Sequence, residues 1–307
     1  MPLENNIIYL KNNQVDKTKW DACIASADNE LIYAYAYYLD TMSRHWDALV
    51  LNDYEAVMPL TWNRKYGIFY LYQPFFTASL GIFGKNISAA VTQDFLETIP
   101  RKFTYWDIYL NSKNQFPIKG FTFYNRRNYT LNLDKSYEDL FKNFSENHQR
   151  NINRAGRTGC IIKKNIEITE VLRMAGEQAK KYSTIKKQDY KNLKNLYQYL
   201  FSVNSAETYG VFTANEKLLS ACVFFYSQNR AYYILAGNNE AAKKIGASHF
   251  LINAFIKEHS NKNLVLDFAG SSIQNIAAFF AKFGANEEIY PGLKRNKLPA
   301  ILKLFKK

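Results

Sequence analysis

Residues 231–284 constrain the fold more than any other part of the chain. The region opens with the apolar run AYYILAG (231–237), passes through a polar turn (238–248) and enters the amphipathic pattern SHFLINAFIKEH (248–259). A second apolar run at 264–268 and a second helical pattern follow. This order predicts strand, turn, helix, strand and helix, which is the layout of an α/β unit.

The turn has the composition of an anion-binding site. A strand that enters a helix through a turn directs free backbone N–H groups towards one point, where the helix dipole adds positive potential. We predict that phosphate of a ligand binds at Lys243, Lys244, Gly246, Ala247 and Ser248. The lysines supply charge, Gly246 permits close approach to the backbone, and Ser248 is a candidate N-cap or hydrogen-bond donor. An ordinary connection, in which the glycine only permits the turn, fits the same residues.

The same order of motifs occurs twice along the chain. Its landmarks are the hairpin turns Asn52-Asp53 and Asn215-Glu216, the glycines Gly81 and Gly246, and the aspartates Asp107 and Asp267. The glycines lie 165 residues apart and the aspartates 160. We therefore predict an α/β (α+β) protein of two similar domains, 1–145 and 146–307, each a mixed, mostly antiparallel twisted sheet flanked by helices. Apolar residues surround Gly81, so we expect no phosphate site in the first copy.

Positive charge is concentrated between the two copies. The chain has 40 Lys and Arg against 27 Asp and Glu, and residues 143–194 alone carry a net charge of +7. A helix is predicted from 136 to 159, with Gly159 as its C-terminal stop. Arg150, Arg154 and Arg157 are spaced by four and three, which places them on one face of this helix. That face is a candidate nucleic-acid site, with tRNA as a possible partner; a solvated basic surface is the alternative.

Several protein classes are disfavoured by what the sequence lacks. The three cysteines are far apart without a CxxC pair, and the four histidines show no ligand spacing, so we expect neither a disulfide framework nor a metal site. No signal-peptide pattern opens the chain, and no run approaches the roughly 20 apolar residues of a membrane span. We expect a cytoplasmic protein without a transmembrane segment.

The order of these motifs resembles a known superfamily. A meander, the turn K-x-x-G-x-[small], a helix, the strand LVLDF and a helix ending in AKFGA resemble the GCN5-related N-acyltransferases (GNAT). The tandem arrangement, with HQRNINRAGRTGC leading into the second copy, resembles the FemAB-like, Fem-type aminoacyltransferases over nearly the whole chain. The resemblance implies a donor, acyl-CoA or aminoacyl-tRNA, whose phosphates bind at the turn. It also implies a small-molecule or peptidoglycan-precursor-like amine acceptor and no metal.

The chain departs from that family at its catalytic groups. The usual tyrosine of the last helix, a general acid for the leaving thiol, is replaced by Phe279 or Phe280, which leaves Tyr290 as the nearest alternative donor. Asp267 and Asp107 are candidates to take a proton from the acceptor amine or to position it; a turn or capping role is the alternative for both. We predict an N-acyltransferase that works by direct attack, without a covalent enzyme intermediate. The alternative is a non-catalytic protein of the same fold that binds RNA or another anionic polymer.

Overall fold

The computed structural model describes residues 6–179, 184–270 and 272–298. It divides into two compact units. The first unit consists of Met1–Arg126 and Ile289–Lys307, and the second of Arg127–Glu288. The predicted domains, 1–145 and 146–307, each contain one copy of the sequence repeat. This division of the chain stays a prediction.

The helices and strands follow the predicted order closely. The strands are β1 (Ile7–Leu10), β2 (Trp46–Leu51), β3 (Ala56–Lys65), β4 (Ile68–Tyr72), β5 (Phe83–Gly84), β6 (Phe103–Tyr109), β7 (Phe123–Asn132), β8 (Ile161–Lys164), β9 (Ala206–Phe212), β10 (Leu218–Ser227), β11 (Arg230–Asn238), β12 (Val265–Asp267) and β13 (Asn286–Asn296). The helices are α1 (Lys17–Ser26), α2 (Ala36–Met42), α3 (Ala89–Thr98), α4 (Tyr137–Lys142), α5 (Glu146–Arg157), α6 (Ile168–Ala179), α7 (Lys187–Ser202), α8 (Glu240–Ile245), α9 (Ala247–His259) and α10 (Gln274–Ala281). The chain passes from one unit to the other inside β7 and inside β13.

In the first unit, β1, β2, β3 and β4 pair as an antiparallel meander. Strand β4 then pairs parallel with β6, and β6 pairs antiparallel with β13. Successive side chains of β4 and β6 point to opposite faces of the sheet. On one face Leu71, Trp106 and Ile108 are part of a hydrophobic core with Phe95 and Leu96 of α3. The opposite face of these two strands carries mainly tyrosines.

The second unit repeats this strand order. Strands β8, β9, β10 and β11 form an antiparallel meander, β11 pairs parallel with β12, and β12 pairs antiparallel with β7. Each unit is therefore a mixed, mostly antiparallel sheet, as predicted, and each is completed by a strand from a distant part of the chain. The two aspartates of the repeat occupy equivalent places, since Asp107 pairs with Tyr72 and Asp267 with Tyr232 in the parallel registers.

Helices cover both faces of the sheet in the second unit. Helices α5 and α9 pack on one face, where Phe255 of α9 stacks on Phe224 of β10 at 3.9 Å between ring centroids. On β11, Ala236 packs against this cluster, so the next residue, Gly237, points to the other face. There α6 approaches so closely that a Cβ on Gly237 would lie 2.3 Å from the backbone nitrogen of Ala175.

Two local predictions were wrong. The single helix expected over 136–159 is two helices, because Ser145 begins a second helix by accepting a hydrogen bond from the backbone N–H of His148. The turn 238–248 contains the short helix α8, which Asn239 caps. Within the described ranges, no helix is long and apolar enough to cross a membrane.

Candidate active site

The predicted phosphate-binding turn is the junction between α8 and α9. Gly246 forms this junction in the left-handed region, at φ +89°. Its N–H donates to the carbonyl of Ala242, and a Cβ at this position would lie 2.6 Å from the backbone oxygen of Asn151 in α5. The glycine is therefore required by the turn and by the close approach of α5.

Free backbone donors lie immediately after Gly246. The N–H groups of Ala247, Ser248 and His249 have no acceptor among the described residues, whereas Phe250 already donates to the carbonyl of Gly246. These three amides form the N-terminal end of α9, where the helix dipole is positive.

Ser248 does not cap this helix. Its hydroxyl donates to the side-chain oxygen of Asn238 at 2.6 Å, and the hydroxyl of Ser220 donates to the same oxygen at 2.7 Å. The cap position is Gly246, which has no side chain to offer. The hydroxyl of Ser248 thus holds the end of β11 to the start of α9, and the N-cap role proposed for it was wrong.

Cations surround the junction. Lys243 and Lys244 are exposed in the last turn of α8. Arg154 of α5 reaches the same place, since its Nε donates to the carbonyl of Ile245 at 3.3 Å. The structure therefore brings a residue predicted to bind nucleic acid next to the predicted phosphate site.

The three arginines of α5 occupy its exposed face, as their spacing predicts. Arg150, Arg154 and Arg157 are all exposed. The buried residues of the helix are His148, Ile152 and Ala155. Arg150 and Arg157 face solvent in the described structure and extend the positive surface away from the α8–α9 junction.

A gap opens beside β11, directly before the junction. The parallel ladder with β12 covers only the start of β11 and ends where Tyr232 pairs with Asp267. Just beyond, Tyr233 and Leu235 pair with two adjacent residues of β10, so Ile234 between them has no opposite residue in that strand and forms a β-bulge. Such a bulge bends its strand. From Tyr233 onwards, β11 has no partner strand on the β12 side within the described part of the chain.

Asp267 lies at this gap but is fully engaged in the structure. Its carboxylate accepts from Arg230 at 2.6 Å, from the side-chain amide of Asn128 at 3.0 Å and from the N–H of Ala269 at 2.7 Å. Only 3% of its side chain is exposed. Burial acts to lower the pKa of Arg230, but the charge of Asp267 outweighs it and raises that pKa overall. The geometry favours the structural alternative for Asp267 over a role as a base.

The position of the tyrosine that the resemblance implies is apolar. Phe280 is buried and stacks on Phe268 at 4.4 Å, and Phe279 packs beside His148 and His249. Burial, followed by the nearby charge of His148, lowers the pKa of His249 to about 4. Neither phenylalanine offers a proton to a leaving group.

Tyr290 and Asp107 both belong to the first unit. Tyr290 is 4% exposed and its hydroxyl accepts from Nε of Arg126 at 3.4 Å. The guanidinium of Arg126 lies over the ring of Tyr109 at 3.9 Å, and Tyr109 contacts Tyr290 edge-on. The sequence placed Tyr290 in the second domain, whereas β13 carries it into the first unit.

Asp107 borders an open cavity. The cavity has a volume of about 310 Å³ and is lined by Tyr70, Leu71, Tyr72, Gln73, Tyr105, Asp107 and Tyr109. Tyr124 donates its hydroxyl to Oδ1 of Asp107 at 2.9 Å. Sequence reasoning missed these tyrosines, although their alternation in FYLY and YWDIY is a readable signal for one face of two strands.

Metal-binding geometry is not present in the described ranges. No group of three or more His, Cys, Asp or Glu side chains there is placed to hold a metal ion. The three cysteines are free and buried.

Comparisons with known proteins identify the fold. No protein-family model and no curated protein matches the sequence. Among solved structures, FemX is similar with a TM-score of 0.66 and 12% identity, over 98% of this chain and 99% of that one. L-PGS from Bacillus licheniformis has a TM-score of 0.52 and 12% identity, over 85% and 87% of the two chains. A GNAT-family acetyltransferase from Colwellia psychrerythraea has a TM-score of 0.53 and 12% identity, over 95% and 100%. The chain therefore has the FemAB-like, GNAT-type fold that its sequence resemblance predicts.

Proposed function

We propose that this protein is an N-acyltransferase that moves an acyl or aminoacyl group from a phosphate-bearing donor to an amine. The observation that carries the proposal is the course of β11. This strand separates from its parallel neighbour after Tyr232, bulges at Ile234 and then enters the α8–α9 junction. A donor whose acyl arm lies in the gap has its phosphates close to the N-terminal end of α9.

Charge at the junction supports a polyanionic donor. Lys243, Lys244 and Arg154 lie around the unpaired amides of α9, and they are exposed. Phosphate binding there combines Coulomb attraction with hydrogen bonds from backbone donors that need no rearrangement. Acyl-CoA and aminoacyl-tRNA both provide phosphates on a donor arm, and both stay within the proposal.

The chemistry needs few groups from the protein. A neutral amine attacks the donor carbonyl, and the C–N bond forms as the bond to the thiol sulfur or ribose oxygen breaks. The proton lost by the amine passes through water or a carboxylate to the departing sulfur or oxygen. We propose that backbone N–H groups on the free edge of β11, beyond its ladder with β12, stabilise the oxyanion. Among the predicted catalytic residues, Asp107 borders an open cavity, so we assign it to the acceptor, whereas Asp267 keeps a structural role.

The alternative function rests on the exposed face of α5. Arg150 and Arg157 are exposed beside Arg154, and a row of arginines on one helix face suits a phosphate backbone. A protein that only binds RNA would use this face and would need no donor in the gap.

Thermal unfolding with coenzyme A and with tRNA separates the two functions. We expect coenzyme A to raise the Tm, and we expect the shift to be lost in Lys243→Ala/Lys244→Ala. The matched control, Lys191→Ala/Lys217→Ala, removes two exposed lysines of the same unit and should keep the shift. Gly246 is unsuitable for this test, because its substitution disturbs the contact with α5.

Each outcome decides between the functions. A Tm shift with tRNA alone, lost in Arg150→Ala/Arg157→Ala and steeply dependent on salt, supports the RNA-binding protein. No shift with coenzyme A or aminoacyl-tRNA contradicts the acyltransferase.

A further inference from the structure

The cavity of the first unit has a regular chemical layout. Tyr70 and Tyr72 alternate along β4, and Tyr105, Asp107 and Tyr109 alternate along β6. The parallel register sets Tyr70 beside Tyr105 and Tyr72 beside Asp107. Alternate residues of a strand share one face, so these five side chains form a single surface.

This surface is fixed by the core on the other side of the sheet. Leu71, Trp106 and Ile108, the residues between the tyrosines, are buried in the core of the first unit. A shift of β6 by one residue would bury Asp107 and expose Trp106, so the register of this strand is strongly determined. The tyrosine face is therefore a stable part of the fold.

Asp107 supplies the only carboxylate among the described residues that line the cavity. Tyr124 donates to its Oδ1, whereas Oδ2 has no hydrogen-bond donor among the described residues. Burial and then the charge of Asp107 raise the pKa of Tyr105. Burial and then the hydrogen bond to Asp107 raise the pKa of Tyr124. Both phenols are thus neutral, and the negative charge of the cavity belongs to Asp107.

The tyrosine rings complement a cation. Their faces carry negative electrostatic potential, and a cation within about 6 Å of a ring centroid is attracted. The protein already uses one of these rings in this way, since Arg126 lies 3.9 Å over Tyr109.

The neighbouring cations limit how many positive charges a ligand of this cavity can carry. Lys294 lies opposite Asp107 in the pairing of β6 with β13 and is exposed, and Arg126 covers one side of Tyr109. A ligand with several positive charges would be repelled by both. A single ammonium group on a short alkyl chain suits one carboxylate in a cavity of about 310 Å³, at the small end of ligand pockets.

We propose that this cavity binds the ammonium group of a primary alkylamine, held by Oδ2 of Asp107 and by the faces of Tyr70, Tyr72 and Tyr105. The inference rests on the proposed function only where it identifies this amine as the acyl acceptor. Binding itself requires no donor and is measured without one.

Calorimetric titration with n-butylammonium chloride and with 1-butanol tests the proposal. The two probes match in length, and only the first is charged. We expect butylammonium to bind at least about tenfold more tightly than 1-butanol, because a charge-assisted hydrogen bond to Asp107 is lost with the alcohol. Equal affinity for the two probes, which needs no variant to measure, would overturn the proposal.

Variants localise the binding. Asp107→Asn should weaken butylammonium at least about tenfold, whereas Asp53→Asn, at an exposed carboxylate paired with Lys19, should leave it unchanged. Tyr70→Phe should keep the affinity within about threefold, and Tyr70→Leu should lower it further, because Leu has no π-face. Binding that is unaffected by Asp107→Asn in folded protein would also overturn the proposal.

Failure of this inference is distinguishable from failure of the proposed function. Ammonium binding with the expected variant effects, but no acyl transfer to butylamine from any donor, supports the inference and counts against the acyltransferase. If the protein transfers an acyl group to butylamine but binds the ammonium probe and the alcohol equally well, the inference alone is overturned.

Discussion

Replacement of Gly246 by alanine tests the geometry of the α8–α9 junction. The residue has φ +89°, and its new Cβ would lie 2.6 Å from the backbone oxygen of Asn151 and 3.0 Å from the Cβ of that residue. The left-handed backbone costs an alanine about 1–2 kcal/mol, partly offset by the reduced freedom of the unfolded chain. The steric conflict with a backbone atom adds about 1–3 kcal/mol, because α5 or α9 must move. We therefore expect a total loss of about 3 kcal/mol.

Gly159→Ala is the matched control in the same unit. Gly159 also has a left-handed backbone, at φ +73°, but the nearest atom to its Cβ would be Ala214 Cβ at 3.9 Å, an ordinary contact. Its replacement should cost only the backbone part, about 1 kcal/mol. Urea denaturation followed by circular dichroism gives both values, provided that the m-value is unchanged. Equal losses for the two variants would refute the close approach of α5 to the junction.

The remaining predictions concern charge and pH. Arg230→Met should lower the free energy of unfolding by about 3 kcal/mol, since it leaves the carboxylate of Asp267 buried without its cation, whereas Arg173→Met at an exposed ion pair should cost far less; urea melts of both compare them. Because the pKa of His249 is lowered in the folded protein, the unfolded chain binds more protons between pH 4 and 6.5. The contribution of His249 to the free energy of unfolding is therefore fully present above pH 6.5 and is lost as the pH falls towards 4. With solvent screening of this half-buried group, we expect a loss of about 1–2 kcal/mol, measured as the difference in pH dependence between wild type and His249→Gln. A His249→Gln curve with the same slope as the wild-type curve would contradict the assignment.

Much of the fold follows from local patterns in the sequence. The hairpin of β2 and β3, the meander of β9 to β11 and the helices α1 and α3 were all readable from alternation, turn residues and caps. Asp16 and Ser88 cap α1 and α3 as their residue types suggest. The tandem order could be predicted because each copy repeats the same succession of patterns.

Strand β13 shows why other elements were missed. Its Pro291-Gly292 pair is a typical turn signal, yet both residues lie inside the strand. The carbonyl of Pro291 accepts from the N–H of Leu110, and Gly292 leaves room for the ring of Tyr124, which would lie 2.4 Å from a Cβ there. Tertiary packing thus determines the conformation, and packing is not visible in a local pattern.

The candidate site was predicted in part. The sequence identified the basic junction and both aspartates, but it could not distinguish Asp107, beside a cavity, from Asp267, bound by Arg230 and Asn128. Both lie within largely apolar strands, and the partners that distinguish them are distant in sequence. The role predicted for Gly246 was also incomplete, because its close contact with Asn151 arises only when α5 packs on α9.

A crystal structure with bound coenzyme A tests the central claim most directly. The account predicts diphosphate density within hydrogen-bonding distance of the amides of Ala247 and Ser248, flanked by Lys243, Lys244 and Arg154, with the pantetheine arm along the open edge of β11. Density at any other place on the protein, with the gap beside β11 empty, would contradict it.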